Sequence, residues 1–316
     1  MIASVRAARR LPAALMLAIV TLLPACGSAN PLGGGSMSSD LKSVVVGSAD
    51  FPESKIVAEI YAQALEANGF TVGRRFGIGS RETYVPALRD HSIDLIPDYT
   101  GNLLAYFDPE TTLTAPADVE LALARALPGD LSILTPSLAS DTDTVTVTAA
   151  TADRWNLTSI GDLVPYSAQV KFGAPSEFIN RAVGLPGLKA NYGLVIEPDN
   201  FVAISDGGGP ATVKALVNGT VTAANIFSTS PAIPQNNLVV LADPKDNFMA
   251  GNVVPLVSSQ KKSDLLKTVL DAVSARLTTA ALIELNSAVS GNDGVDPDEA
   301  ARNWVRDSGF DQPIGR

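Results

Sequence analysis

A pattern that occurs twice constrains the fold of this 316-residue chain more than any other feature. Residues 87–100 (ALRDHSIDLIPDYT) align without a gap on residues 215–228 (ALVNGTVTAANIFS). In each copy the pattern predicts a helix end, a turn, and a strand that finishes on an aromatic residue followed by a hydroxyl residue. The two aromatic residues are Tyr99 and Phe227. The duplication predicts two equivalent α/β lobes.

The first copy indicates how each lobe is built. Residues 43–47 form a β-branched run typical of a buried parallel strand, and Pro52 then favours the first turn of a helix. Residues 71–77 are expected to form the next strand, and residues 81–89 the next helix. This alternation predicts an α/β fold in which each lobe is a mainly parallel sheet flanked by helices.

The ends of the predicted strands indicate where a ligand binds. Ligands of open parallel sheets lie beyond the carboxyl ends of the strands. Because Tyr99 and Phe227 each end a strand, we expect them to face one another across a cleft between the lobes. The alternative for each ring is a place in the hydrophobic core.

Two segments with a half-exposed strand pattern are expected to connect the lobes as a two-strand hinge. Residues 141–148 alternate small polar and apolar side chains, and residues 252–257 form the second segment. The helical stretch 263–290 and a last helix that carries Trp304 are assigned to the first lobe. We therefore predict that lobe 1 comprises residues 40–140 and 250–316, and that lobe 2 comprises residues 141–249.

The N-terminal segment indicates the location of the protein. Residues 1–25 combine arginines with a long uncharged run, which is the pattern of a secretory signal peptide and is too short to span a bilayer. Cys26, the only cysteine, follows Leu-Pro-Ala in a sequence that resembles the bacterial lipobox, so we expect it to carry a lipid. Residues 26–39, rich in Gly and Ser, would then be a flexible tether. An ordinary signal peptide with an unmodified cysteine is the alternative. We expect an extracytoplasmic protein, anchored by lipid to the cell membrane.

Composition excludes several function classes. A formal net charge of −10 opposes nucleic-acid binding, which needs a basic face. His91 is the only histidine, and neither a G-x-S-x-G elbow nor an H-E-x-x-H motif occurs. We expect no catalytic residue, no metal site and no cofactor. A secreted hydrolase that uses only carboxylates remains the enzyme alternative.

Short motifs spread over the chain carry a resemblance. They are VGS at 46–48 followed by Phe51 and Glu53, IDL at 93–95 with PDYTG at 97–101, EF at 177–178 with Arg181 and GLPGL at 184–188, and NG at 218–219 leading to FST at 227–229. Together they resemble substrate-binding lipoproteins of ABC importers for osmoprotectants, the ProX and OpuC type. That family captures glycine betaine, choline, carnitine or proline betaine. The resemblance implies a two-lobed, periplasmic-binding-protein-like fold of type II.

The resemblance also implies a box of aromatic rings, because π faces attract a quaternary ammonium cation. Tyr99 falls on a box tyrosine of the family, and Phe227 falls where another ring is usual. Asp143 lies where a further tyrosine is common, and Gly251-Asn252 replaces the fourth aromatic residue. The box of this chain is therefore incomplete.

Polar residues are expected to complete the site. Asp141 and Asp143 are candidates to meet a cation by charge, and Arg181 is a candidate to grip a carboxylate. Hydration or capping of a hinge strand is the alternative for the two aspartates, and a structural ion pair is the alternative for Arg181. The resemblance places further polar residues along the cleft, and these are Ser48, Ser54, Asn102, Ser228 and Asn252.

These observations predict a monomeric receptor that captures a small quaternary-ammonium or zwitterionic osmolyte between its lobes and delivers it to an ABC permease in the membrane. Two alternatives stay open, a ligand sensor and a binding protein for a different small polar or aromatic ligand. The loop Asp206 to Pro210 lacks the GxxxxGK pattern of a phosphate site, so we expect it to form a tight turn at the start of a helix.

Overall fold

The computed structural model describes residues 41–249, 251–291 and 293–315, which belong to the compact unit Ser38–Arg316. The predicted signal peptide, Cys26 and the tether up to residue 39 lie outside these residues. Within the described ranges, no helix is both long enough and apolar enough to cross a membrane.

Two sheets organise the described part of the chain, and every strand there belongs to one of them. The strands are β1 (Ser43–Gly47), β2 (Thr71–Arg75), β3 (Leu95–Tyr99), β4 (Leu131–Ile133), β5 (Ser140–Asp141), β6 (Asp143–Thr148), β7 (Phe172–Ala174), β8 (Phe201–Ala203), β9 (Ala223–Phe227), β10 (Leu238–Val240) and β11 (Gly251–Ser258).

The two sheets correspond strand for strand. The first has the order β2-β1-β3-β11-β4, and the second has the order β8-β7-β9-β6-β10. In each sheet the first three strands run parallel. The last two pair antiparallel, β11 with β3 and β4, and β6 with β9 and β10. The duplication is thus confirmed, but each sheet is mixed rather than mainly parallel. The fourth strand of each sheet enters from the other lobe and needs no crossover helix to pair antiparallel.

Helices cover both faces of each sheet. The α-helices are α1 (Pro52–Ala67), α2 (Arg81–Arg89), α3 (Thr100–Phe107), α4 (Pro116–Ala126), α5 (Ala149–Trp155), α6 (Leu185–Gly187), α7 (Pro210–Val217), α8 (Ala232–Gln235), α9 (Asp264–Arg276), α10 (Thr279–Ala288) and α11 (Pro297–Asp307). Shorter 3₁₀ or π turns occupy Ile160–Gln169, Ser176–Ile179, Leu188–Tyr192, Pro198–Asn200 and Ser259–Lys261.

The chain passes between the sheets where the two-residue strand β5 pairs with the start of β11. Asp141 of β5 pairs with Gly251 of β11, and Ser140 pairs with Asn252. Most of each predicted hinge segment lies instead inside a sheet, because β6 is a central strand of the second sheet and Val253 onward pairs with β3. The connection is therefore short and lies beside the end of β3.

The C-terminal helices pack on α1 and share its hydrophobic core. The expected helical stretch 263–290 is two helices, α9 and α10. The break occurs because the Thr278 side chain accepts a hydrogen bond from the Ala281 N–H and so starts a new helix. This packing fixes α1, whose N-terminal turn points residues 51–53 toward the ends of β3 and β9.

Candidate functional site

Three aromatic rings meet where the two sheets face each other. Tyr99 ends β3, Phe227 ends β9, and Phe51 immediately precedes α1. The ring centroids lie 6.2 Å apart for Phe51 and Tyr99, 5.1 Å for Phe51 and Phe227, and 6.4 Å for Tyr99 and Phe227. These separations are ordinary for aromatic contacts. We call these three side chains the ring cluster.

The ring cluster leaves no room for a ligand between Tyr99 and Phe227. Their planes are inclined by only 17°, and a methyl group midway between the centroids would lie closer to both rings than van der Waals contact of about 3.5–4.0 Å allows. The two rings thus face each other as expected, but they contact each other and Phe51. In this conformation a cation would meet their outer faces and edges.

A cavity of about 230 Å³, which we call the front cavity, adjoins the ring cluster and lies between the lobes. Asp143, opposite Phe227 in the β6–β9 ladder, is 9% exposed and lines it. The Asp143 carboxylate accepts hydrogen bonds from Asn102 Nδ2 at 2.9 Å and Asn225 Nδ2 at 3.0 Å. Both donors are neutral amides, and the nearby charge of Arg81, which also interacts with Asp143, is already paired with Asp98.

Arg81 also lines the front cavity, but its charge is paired. Its guanidinium donates to Asp98, with Nη2 at 2.6 Å from Oδ1, and Tyr84 donates to Asp98 Oδ2 at 2.8 Å. Burial lowers the pKa of Arg81, but the charges of Asp98, Tyr84 and Asp143 and the hydrogen bond to Asp98 together outweigh burial and raise it above the ordinary value. Both side chains of the pair are buried. On the side of β3, the front cavity is therefore bordered by a buried network in which Arg81, Tyr84 and Asp98 bind one another.

Arg181 lines the front cavity from the second lobe, but protein carboxylates occupy its donors. It donates to Glu82 of α2 at 3.2 and 3.0 Å, and to Glu177 at 3.3 Å. Burial opposes ionisation of Glu82, but hydrogen bonds from Arg181 and Ser80 outweigh burial and lower the pKa of Glu82 to about 2. The predicted carboxylate grip is thus an ion pair between the lobes in this structure.

Asp141 lies behind the ring cluster rather than in the front cavity. It is 2% exposed, and its Oδ1 accepts hydrogen bonds from Ser228 Oγ at 2.9 Å and the Thr229 N–H at 3.0 Å. Burial, together with the charge of Glu53, raises its pKa well above the ordinary value. The expectation that Asp141 meets the ligand directly is not supported, because its contacts hold the chain after Phe227.

Four other predicted site residues bind the protein itself. Ser48 Oγ accepts from Gly77 N–H, and Ser54 Oγ accepts from Ala49 N–H, both at 2.9 Å and both buried. Ser228 donates to Asp141, and Asn252 Nδ2 donates to the Ser137 carbonyl at 2.9 Å. These polar groups stabilise turns and strand ends. Of the five polar residues placed by resemblance, Asn102 is the one that lines the front cavity.

Two glycines allow the close approach of the walls. A Cβ on Gly251 would lie 2.9 Å from the Tyr99 Cβ, so a side chain there would displace the ring. Gly207 has φ +59°, and its Cβ would lie 2.9 Å from the Phe51 Cβ of the other lobe. The Asp206 carboxylate caps α7 by accepting from the Ala211 N–H at 2.6 Å. The loop Asp206 to Pro210 thus forms the turn at the start of a helix that the sequence predicts.

Glu53 belongs to one of the motifs that carry the resemblance, but it is not among the predicted site residues. Its Oε1 accepts from the Tyr99 hydroxyl at 2.6 Å, and its Oε2 accepts from Thr229 Oγ1 and Asn286 Nδ2, both at 2.6 Å. Burial raises its pKa, against the three hydrogen bonds, which lower it. Glu53 thereby links both lobes and α10 behind the ring cluster.

Phe51, Arg81 and Asn225 were also missed as site residues. Phe51 stood in the same motif as Glu53, and Asn225 stands two residues before Phe227, which puts it on the same face of β9. For Arg81 the sequence offers no such signal, because it only starts a predicted helix.

A second cavity, of about 500 Å³, lies on the other side of Phe51 and Phe227. We call it the rear cavity. The first turns of α1, the helices α7 and α8 and the end of α10 surround it, and Phe51, Gly207 and Phe227 line both cavities. The rings are therefore a wall between two spaces, each bounded by both lobes.

Known proteins share the sequence and the fold. A family model described as the substrate binding domain of the ABC-type glycine betaine transport system matches residues 42–307. The glycine betaine-binding protein YehZ of Escherichia coli (strain K12) is 27% identical over 278 residues, which cover 84% of this chain and 91% of that protein. The ergothioneine transport permease/ergothioneine binding protein EgtU of Helicobacter pylori (strain G27) is 25% identical over 255 residues, which cover 78% of this chain and 44% of that protein.

A solved structure gives the fold. The crystal structure of a glycine betaine/carnitine/choline ABC transporter protein superposes with a TM-score of 0.65 at 20% identity, and the match covers 85% of this chain and 100% of that chain. At this identity the likeness concerns the fold alone. It confirms the predicted two-lobed fold of periplasmic binding proteins.

Proposed function

Because this chain belongs to the family of substrate-binding domains of ABC-type glycine betaine transport systems, we propose that it captures a small quaternary ammonium compound in the front cavity and presents it to a permease. The family serves transport and is not an enzyme class, and its members in ABC importers are extracytoplasmic.

One observation carries the proposal, namely the ring cluster beside Asp143, a carboxylate that forms no ion pair with any described residue. Aromatic faces attract a quaternary ammonium group by about 0.5–2 kcal/mol for each ring. Asp143 adds a negative charge in a place that is shielded from water, where charge interactions are stronger than at the surface. Tyr99, Phe227, Phe51 and Asp143 are the residues proposed to hold the cation, with Asn102 and Asn225 orienting Asp143.

The second proposed feature concerns the end of the ligand opposite its ammonium group, which is a carboxylate in glycine betaine. Arg81 and Arg181 line the front cavity, and both are engaged by protein carboxylates. Recognition of a ligand carboxylate would require Arg181 to exchange Glu82 or Glu177 for the ligand. We therefore propose that the ammonium group, present in both glycine betaine and choline, supplies most of the affinity.

The remaining proposals concern the state of the protein. We propose a monomer whose lobes comprise residues 40–140 with 250–316, and residues 141–249. We also propose that Cys26 carries the lipid anchor, that the chain has no catalytic activity, and that the closed form is the one a permease recognises. Ligand contacts to both lobes would favour closure by binding that form more tightly.

Calorimetric titration of the purified protein tests the substrate class. The informative comparisons pair each methylated ligand with its unmethylated analogue, glycine betaine with glycine and choline with ethanolamine. We expect the methylated ligand of at least one pair to bind and raise the melting temperature, because only it presents a quaternary ammonium to the rings. Ergothioneine, the ligand in the name of one relative, is the third arm. Equal responses within both pairs would refute the proposed substrate class.

Ring substitutions test the proposed residues. Tyr99→Ala and Phe227→Ala should each weaken binding of the methylated ligand by about 2- to 30-fold. Tyr166→Ala is the matched control, since that ring stacks on Trp155 at 4.4 Å and does not line the front cavity. Unchanged affinity in both site variants would exclude the ring cluster from binding.

A further inference from the structure

Two carboxyl groups that belong to different strands and helices lie together behind the ring cluster. Glu53 in the first turn of α1 is 5% exposed, and Asp141 in β5 is 2% exposed. One residue, Thr229, connects them, because its Oγ1 donates to Glu53 Oε2 at 2.6 Å and its N–H donates to Asp141 Oδ1 at 3.0 Å. The two carboxyl groups are therefore separated by little more than the polar atoms of one threonine.

This pair holds both principal rings. The Tyr99 hydroxyl donates to Glu53 at 2.6 Å, which fixes the ring at the end of β3. Asp141 accepts from Ser228 and Thr229, which directly follow Phe227. The rings from β3 and β9 are thus attached to one acidic pair, although they belong to different sheets.

Two negative charges at this place would repel each other. Within the described ranges, no lysine, arginine or histidine forms an ion pair with either carboxyl group. The titratable groups that face the pair are Tyr99 of β3, which donates to Glu53, and Asp143 of β6, which adds negative charge beside Asp141. Buried like charges without a counter-ion favour a neutral form of one group.

The hydrogen bonds indicate which group is neutral. Glu53 accepts three hydrogen bonds, as an ionised carboxylate does. Asp141 accepts two, both on Oδ1, and no donor in the described part of the chain reaches its buried Oδ2. A proton on Oδ2 removes the uncompensated charge without disturbing the contacts to Ser228 and Thr229.

We propose that Glu53 and Asp141 form a positioning pair that shares one proton, held on Asp141, and that this proton keeps Tyr99 and Phe227 in the binding-competent arrangement. The effect on ligand affinity rests on the proposed function, whereas the shared proton does not. When the proton is lost at alkaline pH, repulsion acts between the first turn of α1 and the segment after Phe227, and so between the lobes.

The direction of the pH effect follows from linkage. Burial raises the pKa of both groups, most strongly that of Asp141, and opening of the lobes returns water to them. The closed form then binds the proton more tightly than the open form. Ligand affinity is constant at low pH and falls as the pH rises, by up to about tenfold per pH unit while one proton is taken up on closure.

Titration of the protein with glycine betaine between pH 6 and 9 tests the pair, because the charge of that ligand does not change in this range. We expect the affinity of the wild-type protein to fall over the range, and that of Asp141→Asn to stay nearly constant, since asparagine mimics the protonated group. Glu59→Gln is the matched control, a buried carboxyl group on the same helix that pairs with Arg74 at 3.0 Å. It should keep the wild-type pH profile. A wild-type profile in Asp141→Asn, or a flat profile in the wild-type protein, would overturn the proposal.

Two measurements without ligand separate this proposal from the proposed function. Both carboxyl groups ionise near pH 4 in an unfolded chain, so the folded protein binds more protons above that pH and loses stability as the pH rises. Urea unfolding should therefore show a smaller loss between pH 6 and 9 in Asp141→Asn than in the wild-type protein. The infrared carbonyl band of a protonated carboxyl group should be present in the wild-type protein at pH 7 and vanish at alkaline pH. Its absence at pH 7 refutes the shared proton, even if Asp141→Asn does not fold and even if glycine betaine does not bind.

Discussion

The ends of β3 and β9 occupy equivalent positions in the two lobes, and they contribute to the site in different ways. Tyr99 is 5% exposed and its hydroxyl is fixed by Glu53, whereas Phe227 is half-buried, lacks a hydroxyl and lines both cavities. Phe227 is held through the two residues that follow it, which bind Asp141. The first ring is thus anchored by its own side chain, and the second by its backbone neighbours.

The two ends also differ in charge. Beside Tyr99, Asp98 forms a buried ion pair with Arg81, whereas beside Phe227 the Asp143 carboxylate accepts hydrogen bonds from the neutral amides of Asn102 and Asn225. A buried ion pair is costly to break by removal of one partner, because the other charge stays buried. The duplicated pattern therefore places a buried ion pair beside Tyr99 and hydrogen bonds from neutral amides beside Phe227. Substitutions on the two sides should differ accordingly.

The largest effect is expected for the ion pair of the β3 wall. Arg81→Leu leaves Asp98 buried with only the Tyr84 hydroxyl and the backbone as donors, and should lower the free energy of unfolding by about 3–5 kcal/mol. Urea denaturation measures this. Arg89→Leu is the control on the same helix, because its pair with Asp130 is exposed, and it should change stability far less. Similar losses in both variants would contradict a special role for the buried pair.

An exchange of hydroxyl groups tests the difference between the two rings. Tyr99→Phe removes a donor to Glu53 and should lower the free energy of unfolding by about 1.5–3 kcal/mol, the range for hydrogen bonds to charged groups. Affinity for a quaternary ammonium ligand should change much less, because the aromatic face remains. Phe227→Tyr adds a hydroxyl to a half-buried ring that borders two cavities, so stability should stay within about 0.5 kcal/mol.

The two rings would be equivalent if Tyr99→Phe and Phe227→Tyr changed stability equally. In that case the hydrogen bond between Tyr99 and Glu53 would add nothing to the free energy of unfolding beyond the packing of the Tyr99 ring. The double variant distinguishes the cases further. Because the two rings contact each other, the departure of its stability from the sum of the single effects measures the coupling between them.

Sequence reasoning predicted the repeated parts of the fold because the repeat itself carries the signal. The offset that aligns Tyr99 with Phe227 also aligns β3 with β9 over their whole lengths. The same local pattern of turn, apolar run and aromatic end thus produced the same strand twice. The antiparallel strands β6 and β11 were missed as sheet members, because each pairs with residues far away in sequence, and such pairing leaves no local pattern.

The structure brings the predicted rings to one cavity and divides the predicted polar residues between that cavity and contacts within the protein. Tyr99, Phe227, Asn102, Asp143 and Arg181 line the front cavity, as expected from strand ends and resemblance. Asp141 and Asp143 are two residues apart, so in a single strand they would lie on the same face. The chain instead crosses from one sheet to the other between them, and Asp141 lies behind the rings. Whether a polar side chain faces a cavity or a backbone amide depends on tertiary contacts, as Ser48 and Ser54 illustrate.

The smallest effect is expected for Arg181, the only predicted site residue that pairs with a charged side chain of the opposite lobe within the described ranges. Its pair with Glu82 is partly exposed, and such pairs contribute about 0.2–1 kcal/mol. Arg181→Gln should therefore weaken binding of glycine betaine and choline equally, by about 1.4- to 5-fold at low salt and by less at 0.5 M salt, and Glu82→Gln should do the same. If Arg181 instead leaves Glu82 to hold the ligand carboxylate, Arg181→Gln weakens only glycine betaine, because choline has no carboxylate. The ratio of the two affinities, measured by calorimetry in both variants, separates a contact between lobes from a contact with the ligand.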